Sequence, residues 1–317
     1  MIEELRENLR KVIVGKDDII EKAIAGLLAN GHMLIEDVPG TGKTTLARAL
    51  AISFNAQFRR IQFTPDLLPT DITGITVYKQ DKNEFNVRFG PVFTNFLLAD
   101  EINRGTPKTQ SALLEAMAEY RVTIDGVGYN LQRPFIVFAT ENPIEYEGTF
   151  PLPEAQLDRF IMRFAIGYPD KNHESKILLT QKDTVPIDTL QPVCDIEELL
   201  NMQESVKKVY IHKSIIEYIV DLSNSTRKHS DVYLGVSPRG SLFLMKVSQA
   251  KALLSGRDFV IPDDVKRCYK DVFNHRLILR ADARLRGVTV DSVLEEILNS
   301  VKVPILEDYS ENEIFNT

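Results

Sequence analysis

The first half of the chain alternates between short apolar runs and longer amphipathic segments. The apolar runs are His32–Glu36, Phe96–Ala99 and Phe135–Phe138. The amphipathic segments, in which apolar residues recur at helical spacing, are residues 12–29, 44–52 and 109–119. Short apolar runs of this kind are typical of strands that helices cover on both faces of a parallel sheet. Strands that alternate with helices predict a layered α/β domain.

Beyond residue 168 the pattern becomes helical. Apolar residues recur at helical spacing in the segments 177–179, 196–206, 215–222, 242–254 and 293–301. A further helix is predicted to begin at Asp263, because acidic residues in a first turn interact favourably with the helix dipole. The sequence therefore predicts an α/β domain over residues 1–168 and a smaller helical domain over residues 169–317.

Composition and charge exclude several classes of protein. The chain has 38 Lys and Arg against 45 Asp and Glu, a net charge of −7, which is unlike the basic surface of proteins that coat nucleic acid. We find no apolar stretch near the roughly 20 residues that span a bilayer and no secretory signal. The two cysteines, Cys194 and Cys268, are too far apart to suggest a disulfide framework, and the histidines are scattered without metal-ligand spacing. We expect a cytoplasmic protein without a membrane span.

A glycine-rich turn lies between the first predicted strand and the following helix. It begins at Asp37 and continues with Pro39, Gly40, Thr41, Gly42, Lys43, Thr44 and Thr45. Glycines let backbone N–H groups converge on a phosphate, and the start of the helix adds its positive dipole end. We expect Lys43 to reach the β- and γ-phosphates and the Thr44 hydroxyl to bind Mg²⁺. Asp37 stands where the strict phosphate-loop pattern has glycine.

Polar residues follow two of the other predicted strands. Asp100 and Glu101 end the run that begins at Phe96, and Asn142 follows the run that begins at Phe135. Downstream of a phosphate loop, Asp100 can hold the hydrated Mg²⁺ while Glu101 polarises an attacking water. The amide of Asn142 can hydrogen-bond both the γ-phosphate and that water.

Longer motifs resemble the AAA+ ATPases and, among them, the MoxR family. The similar segments are Asp100–Met117, Gln62–Gly74, Pro151–Phe160 and Gly235–Arg239, in the family's order along the chain. The resemblance implies a P-loop AAA+ core with a parallel sheet between helices, followed by a smaller all-helical lid. It also implies two inserts in the core, over residues 70–90 and, as a hairpin, over residues 121–133.

The resemblance implies roles for individual positions. Gly40–Thr45 match the Walker A motif, Asp100 and Glu101 match Walker B, and Asn142 matches sensor 1. Arg159 matches the arginine finger that reaches a neighbouring subunit's nucleotide, and Arg239 matches the sensor 2 arginine of the lid. Val14 and Gly15 match the segment that lies beside the adenine.

These roles imply a Mg²⁺-dependent ATPase that assembles as a homo-oligomer, for which the family expectation is a hexameric ring. The implied work is chaperone-like remodelling, maturation of complexes or insertion of a metal cofactor, with protein clients and von Willebrand factor A domain proteins as partners. A nucleic-acid motor is one alternative, although residues 124–130 of the hairpin contain Asp125 and no Lys or Arg. A nucleotide-gated binding module with little turnover is another, because the charge of Asp37 could weaken triphosphate binding.

Overall fold

The structure is a computed structural model, and it describes residues 1–81, 83–144, 148–182 and 185–304. Contacts within the chain divide it into two compact units, Met1–Lys207 and Lys208–Thr317. Each unit has its own buried core. No helix in the described ranges combines the length and the hydropathy that crossing a membrane requires.

The first unit is organised around a parallel sheet. Its strands in chain order are β1 (His32–Glu36), β2 (Phe58–Gln62), β3 (Gly74–Lys79), β4 (Glu84–Phe89), β5 (Phe96–Asp100), β6 (Arg121–Ile124), β7 (Val127–Asn130), β8 (Ile136–Glu141) and β9 (Phe160–Phe164). Five of them form the sheet in the order β2-β5-β8-β1-β9, and every neighbouring pair is parallel. The register places Gln62 opposite Asp100 and Glu36 opposite Glu141. The polar ends of these strands therefore meet at one edge of the sheet.

Helices cover the sheet and bury its central strands. The helices of this unit are α1 (Ile2–Arg10), α2 (Asp17–Leu28), α3 (Lys43–Ser53), α4 (Pro69–Thr73), α5 (Pro107–Glu119), α6 (Glu154–Leu157), α7 (Lys171–Thr180) and α8 (Ile196–Lys208). All residues of β5 are buried, and so are those of β8 up to Thr140, because neither strand faces solvent. Leu34, Leu97 and Val137 are fully buried in one cluster. The predicted α/β fold with a parallel sheet is confirmed.

Two antiparallel hairpins lie within the segments that the resemblance identified as inserts. One pairs β3 with β4, and the other pairs β6 with β7. Asp125 and Gly126 form the two-residue turn of the second hairpin, with φ of +49° and +82°. A type I′ turn, which matches the twist of the two strands, needs positive φ at both residues. The backbone N–H of Thr76 donates to the Asp125 carboxylate at 3.2 Å, which joins the two hairpins.

The division between the units falls after Lys207, further along the chain than the predicted boundary at residue 168. The intervening segment contains α7 and α8, and hydrogen bonds join it to the first unit. The N–H groups of Val193 and Cys194 donate to the Ser53 carbonyl at 3.0 and 2.9 Å. The buried amide of Gln203 donates to the Leu27 carbonyl at 2.8 Å. Helical periodicity shows which segments are helices but not what they pack against.

The second unit is helical, as predicted. Its elements are α9 (Lys213–Lys228), β10 (Val232–Leu234), α10 (Pro238–Leu254), α11 (Pro262–Phe273), β11 (Ile278–Leu279), α12 (Ala281–Leu285) and α13 (Val290–Ser300). Leu222, Leu244, Val265 and Leu294 form part of its buried core. The unit also contains a short antiparallel ladder between β10 and β11. The all-helical expectation missed this ladder because strands of two and three residues leave no readable periodicity.

Candidate active site

The glycine-rich turn forms a loop between β1 and α3. Gly40 and Gly42 have φ of +82° and +93°, and a Cβ at either position would have no heavy atom within 4 Å. Backbone conformation, rather than crowding, is therefore the reason for glycine at these two positions. Gly42 precedes α3, which begins at Lys43. Lys43 Nζ donates to the Asp37 carbonyl, and Thr41 Oγ1 donates to the Val38 carbonyl at 3.2 Å.

Asp37 anchors the loop through its side chain. The residue is buried, with 7% of its surface exposed. One carboxylate oxygen accepts the N–H of Val38 at 2.8 Å, and the other accepts the N–H groups of Ile166 and Gly167 at 2.9 and 2.7 Å. The carboxylate thus ties the start of the loop to the segment after β9. Both carboxylate oxygens are therefore directed at backbone donors of the loop and of this segment.

Asp100, at the end of β5, is buried and engaged through both carboxylate oxygens. Oδ1 accepts the hydroxyl of Thr140 at 2.6 Å. Oδ2 accepts Nε and Nη2 of Arg60 at 3.1 and 2.7 Å. Thr140 lies on β8 and Arg60 on β2, the two strands that flank β5 in the sheet. The orientation of Asp100 therefore depends on both neighbouring strands.

Glu101 follows in a left-handed backbone conformation, with φ of +53° and ψ of +52°. This conformation is uncommon for a residue with a side chain and is found mostly where the surrounding structure holds it in place. Its backbone N–H donates to Thr140 Oγ1 at 2.8 Å. Its Oε2 accepts the amide of Gln62 at 2.8 Å and the guanidinium of Arg104 at 3.1 Å.

Residues from three strand ends meet around one cleft of about 330 Å³. It is lined by Pro39, Gly40, Gly42, Lys43, Thr44, Thr45, Asp100, Glu101 and Asn142. Asn142 follows β8, is buried, and accepts the N–H of Ile144 through its Oδ1 at 3.2 Å. The structure thus brings together the phosphate loop, both acidic residues and the amide that the sequence proposed as one site.

The remaining predicted site residues are Val14, Gly15, Arg159 and Arg239. Val14 and Gly15 occupy the turn between α1 and α2, where a Cβ at Gly15 would lie 2.3 Å from the ring of His173. Arg159 follows α6, and its Nη1 donates to the Leu114 carbonyl of α5. Arg239 is exposed near the start of α10 in the second unit.

A second group of charged residues lies at the ends of β1, β8 and β9. Arg163 Nη1 pairs with Glu36 Oε2 at 2.7 Å. Burial and the nearby charge of Glu36 together raise the pKa of Glu141 to about 7, against the opposing effect of Arg163. Because Glu141 directly precedes Asn142, this titratable carboxyl lies next in sequence to a residue of the cleft.

Sequence reasoning assigned no individual role to the side chains that orient the two acidic residues. These are Arg60, Gln62, Arg104 and Thr140. Gln62 and Arg104 fall inside quoted motifs, and Thr140 is two residues before Asn142, so proximity to motifs was an available signal. Arg60 lies on a strand that the hydrophobic pattern did not predict, and it carried no such signal.

The donor atoms of the cleft suit a Mg²⁺ ion. Mg²⁺ prefers hard oxygen ligands and keeps several of its waters, so one or two protein oxygens are enough. The Thr44 hydroxyl and the Asp100 carboxylate are oxygen ligands that line the same cleft. The residues present therefore fit this ion.

Comparisons with known proteins agree with this geometry. The model of the ATPase family associated with various cellular activities (AAA) matches residues 32–162, and that of the AAA lid domain matches residues 224–297. Protein YeaC of Bacillus subtilis is 52% identical over 94% of this chain and 93% of its own length. Chaperone MoxR1 of Mycobacterium tuberculosis is 42% identical over 93% of this chain and 80% of its own. A crystal structure from Cytophaga hutchinsonii has a TM-score of 0.89 at 39% identity, covering 96% of this chain and 95% of that one.

A parallel sheet, a phosphate loop at the start of a helix and acidic residues at a neighbouring strand end define a P-loop nucleotide-binding protein. The matched core and lid models narrow this class to the AAA+ proteins. Since its relatives cover nearly the whole sequence, the chain belongs to the MoxR family of AAA+ ATPases.

Proposed function

We propose that this protein hydrolyses ATP in the cleft between the phosphate loop and the carboxylates of Asp100 and Glu101. One observation carries the proposal: Lys43, Asp100, Glu101 and Asn142 line the same cleft as Gly40 and Gly42. Phosphoryl transfer needs little covalent chemistry from the protein, so positioning and charge account for most of the catalysis. The cleft supplies both.

Each residue has a distinct proposed role. Glu101 takes a proton from the attacking water, and Asn142 orients that water. Lys43 and the backbone N–H groups of Gly40–Thr45 bind the phosphates, helped by the positive end of α3. A Mg²⁺ ion held by Thr44 and Asp100 would neutralise charge on the phosphate oxygens. Val14 and Gly15 are proposed to lie beside the adenine.

Arg159 is proposed to act on the nucleotide of a neighbouring subunit. In support, Arg159 is absent from the described lining of its own cleft, and its guanidinium contacts α5 instead. An added guanidinium is worth about 10³–10⁵ in rate in this class of reaction. Completion of the site by a neighbour makes hydrolysis depend on assembly, and we propose a homo-oligomeric, hexameric ring.

The helical region over residues 169–317 is proposed to act as the lid, with Arg239 contacting the γ-phosphate. The match of residues 224–297 to the AAA lid domain supports this role. Compact packing assigns residues 169–207 to the first unit, and these residues are proposed to connect core and lid. Hydrolysis would then release the contact through Arg239 and change the angle between them.

The proposed cellular role is cytoplasmic remodelling of protein clients, by maturing complexes or inserting a metal cofactor. The name of the related Chaperone MoxR1 supports this kind of role. A protein with a von Willebrand factor A domain is proposed as the partner that selects the client.

The first test is ATP turnover per mole of protein across a wide range of protein concentration. We expect specific activity to rise with concentration, because Arg159 must come from a second subunit. Glu101→Gln provides the blank, and Arg48→Ala, which removes an exposed arginine paired with Asp188, is the matched control for loss of a guanidinium. Turnover equal to that of Glu101→Gln at every concentration would overturn the proposed self-sufficient ATPase.

Mixing two inactive variants tests the shared site directly. In a mixed ring, an Arg159→Ala subunit supplies an intact Glu101, and a Glu101→Gln neighbour supplies an intact Arg159. Random mixing in equal amounts should restore activity at about a quarter of the sites, because the interface is head-to-tail. Mixtures as inactive as their components would contradict action on a neighbouring subunit.

A further inference from the structure

Arg60 is on the edge strand β2 and reaches the acidic end of β5. In the register of the two strands Arg60 lies opposite Leu98, while Asp100 lies opposite Gln62, two residues further along. The Arg60 side chain spans this offset, and both Nε and Nη2 donate to Asp100 Oδ2. The guanidinium of Arg60 is therefore hydrogen-bonded to the carboxylate that is the proposed ligand of Mg²⁺.

Asp100 needs a cation when no metal is bound. Its side chain is 12% exposed, and Glu101 next to it carries a second negative charge. A buried carboxylate without a counter-ion is costly, so the pairing with Arg60 stabilises the metal-free cleft. A guanidinium and a Mg²⁺ ion on the same carboxylate oxygen repel each other and would compete for its lone pairs.

The surroundings of Arg60 allow its side chain to move away from Asp100. Half of its side chain is exposed, at 50%, so water can solvate the guanidinium once it moves. Its Nη2 already donates to the side-chain oxygen of Gln62 at 2.7 Å, which offers a second partner that does not involve Asp100. Release of Asp100 Oδ2 therefore requires a change of side-chain conformation only.

We propose that Arg60 is an exchangeable counter-ion: it pairs with Asp100 in the metal-free protein and gives up Oδ2 when Mg²⁺ binds. Arg60 is thus a positioning residue that sets the concentration of Mg²⁺ which nucleotide binding requires. This inference rests on the proposed function of the cleft and adds a control on how readily the cleft takes up its metal.

The neighbouring Arg59 provides a matched control. Successive residues of a strand point to opposite faces, so Arg59 and Arg60 lie on the same strand but on opposite faces of the sheet. Nη1 of Arg59 donates to the Gly90 carbonyl at 3.4 Å, away from Asp100. Replacing Arg59 removes the same charge from the same strand and leaves the pair between Arg60 and Asp100 intact.

The experiment measures binding of ATPγS by calorimetry at a series of free Mg²⁺ concentrations. We expect Arg60→Met to lower the Mg²⁺ concentration for half-maximal binding by about three- to tenfold, because one competitor for Asp100 is gone. Arg59→Met should stay within about 1.5-fold of the wild type, since the charge it removes is distant and screened. Arg60→Lys, which keeps the charge without the guanidinium, should fall between Arg60→Met and the wild type.

Thermal unfolding in the absence of nucleotide and metal gives an independent readout. Arg60→Met should unfold at a lower temperature than Arg59→Met, and saturating Mg²⁺ with ATPγS should narrow that gap. If Arg60→Met does not fold, Arg60→Lys carries the same binding test with a smaller expected shift.

An unchanged or higher Mg²⁺ requirement in the Arg60 variants would overturn this inference, because an arginine that only orients Asp100 predicts weaker metal binding when removed. In that case wild-type binding of ATPγS with Mg²⁺ would leave the proposed function standing. A wild-type protein that binds no nucleotide at any Mg²⁺ concentration would overturn both.

Discussion

The two sides of the cleft are built in different ways. The phosphate-loop side is one contiguous segment, Pro39–Thr45, whose conformation depends on backbone torsions at Gly40 and Gly42. The carboxylate side is Asp100 and Glu101, held by side chains of β2 and β8 and by Arg104. The comparison teaches that one half of a site can be encoded locally while the other half depends on strand register.

This difference has consequences for substitutions. A change in the phosphate loop should act on nucleotide binding itself. A substitution on the carboxylate side should affect both acidic residues, because Thr140 Oγ1 contacts Asp100 and Glu101. The effects of substitutions within one hydrogen-bond network are not additive.

Removal of the phosphate-loop lysine should have the largest effect. Lys43→Ala takes away the cation proposed to bind the β- and γ-phosphates, and we expect kcat/KM for ATP to fall by about 10²–10³. Nucleotide binding by calorimetry should weaken in parallel, while the melting temperature without nucleotide should change little. Lys207→Ala, at an exposed lysine of α8, is the matched control. Retention of more than about a tenth of wild-type kcat/KM would contradict the role of Lys43.

Asp37 is the residue through which the phosphate loop depends on a distant part of the chain, the segment of Ile166 and Gly167. Asp37→Ala leaves the N–H groups of Val38, Ile166 and Gly167 without their acceptor, and we expect a loss of about 2–4 kcal/mol in the free energy of unfolding. Chemical denaturation measures it. Glu115→Ala, at an exposed position, is the control and should change the free energy of unfolding by less than about 0.5 kcal/mol. A comparably small loss for Asp37→Ala would show that the loop does not need this anchor.

Thr140 tests the carboxylate side. Thr140→Val keeps the shape of the side chain but removes the hydroxyl between Asp100 and Glu101. We expect a loss of about 1–3 kcal/mol in the free energy of unfolding. We also expect lower ATP turnover and nucleotide binding that responds less to added Mg²⁺. Denaturation and ATPase assays measure these effects. Thr123→Val, at an exposed position of β6, should leave both unchanged. Wild-type turnover in Thr140→Val would imply that Arg60, Gln62 and Arg104 are enough to orient the two acidic residues.

A pH dependence is expected from Glu141, whose pKa is raised from 4.5 to about 7 by burial and by the nearby charge of Glu36. Between these values the folded protein binds more protons than the unfolded chain, so stability falls as pH rises through this window. Glu141→Gln cannot ionise. It should therefore exceed the wild type in free energy of unfolding by about 3 kcal/mol at pH 8 and by less than about 1 kcal/mol at pH 5.

Denaturation curves at several pH values check this prediction. Glu115→Gln, which changes an exposed carboxyl on α5, should follow the wild type at every pH. A constant difference between Glu141→Gln and the wild type from pH 5 to pH 8 would mean that Glu141 ionises normally in the folded protein.

Strand prediction succeeded and failed for identifiable reasons. β5 was predicted because its residues are buried and nearly all apolar. β2 was missed because it is an edge strand whose residues Arg59, Arg60 and Gln62 are exposed, so its sequence shows neither an apolar run nor a clean alternation. β8 extends past its apolar run to Glu141 because Thr140 and Glu141 pair with Ile35 and Glu36 of β1.

The sequence by itself determined the phosphate loop, the helical nature of the second half and the family. These depend on contiguous residues, and the torsions of a glycine turn or the periodicity of a helix are local properties. Only the tertiary structure decided that residues 169–207 pack on the first unit, that Asp37 is an anchor, and that Arg60 pairs with Asp100. Each of these depends on which distant segments the fold brings together, and sequence spacing carries no record of that.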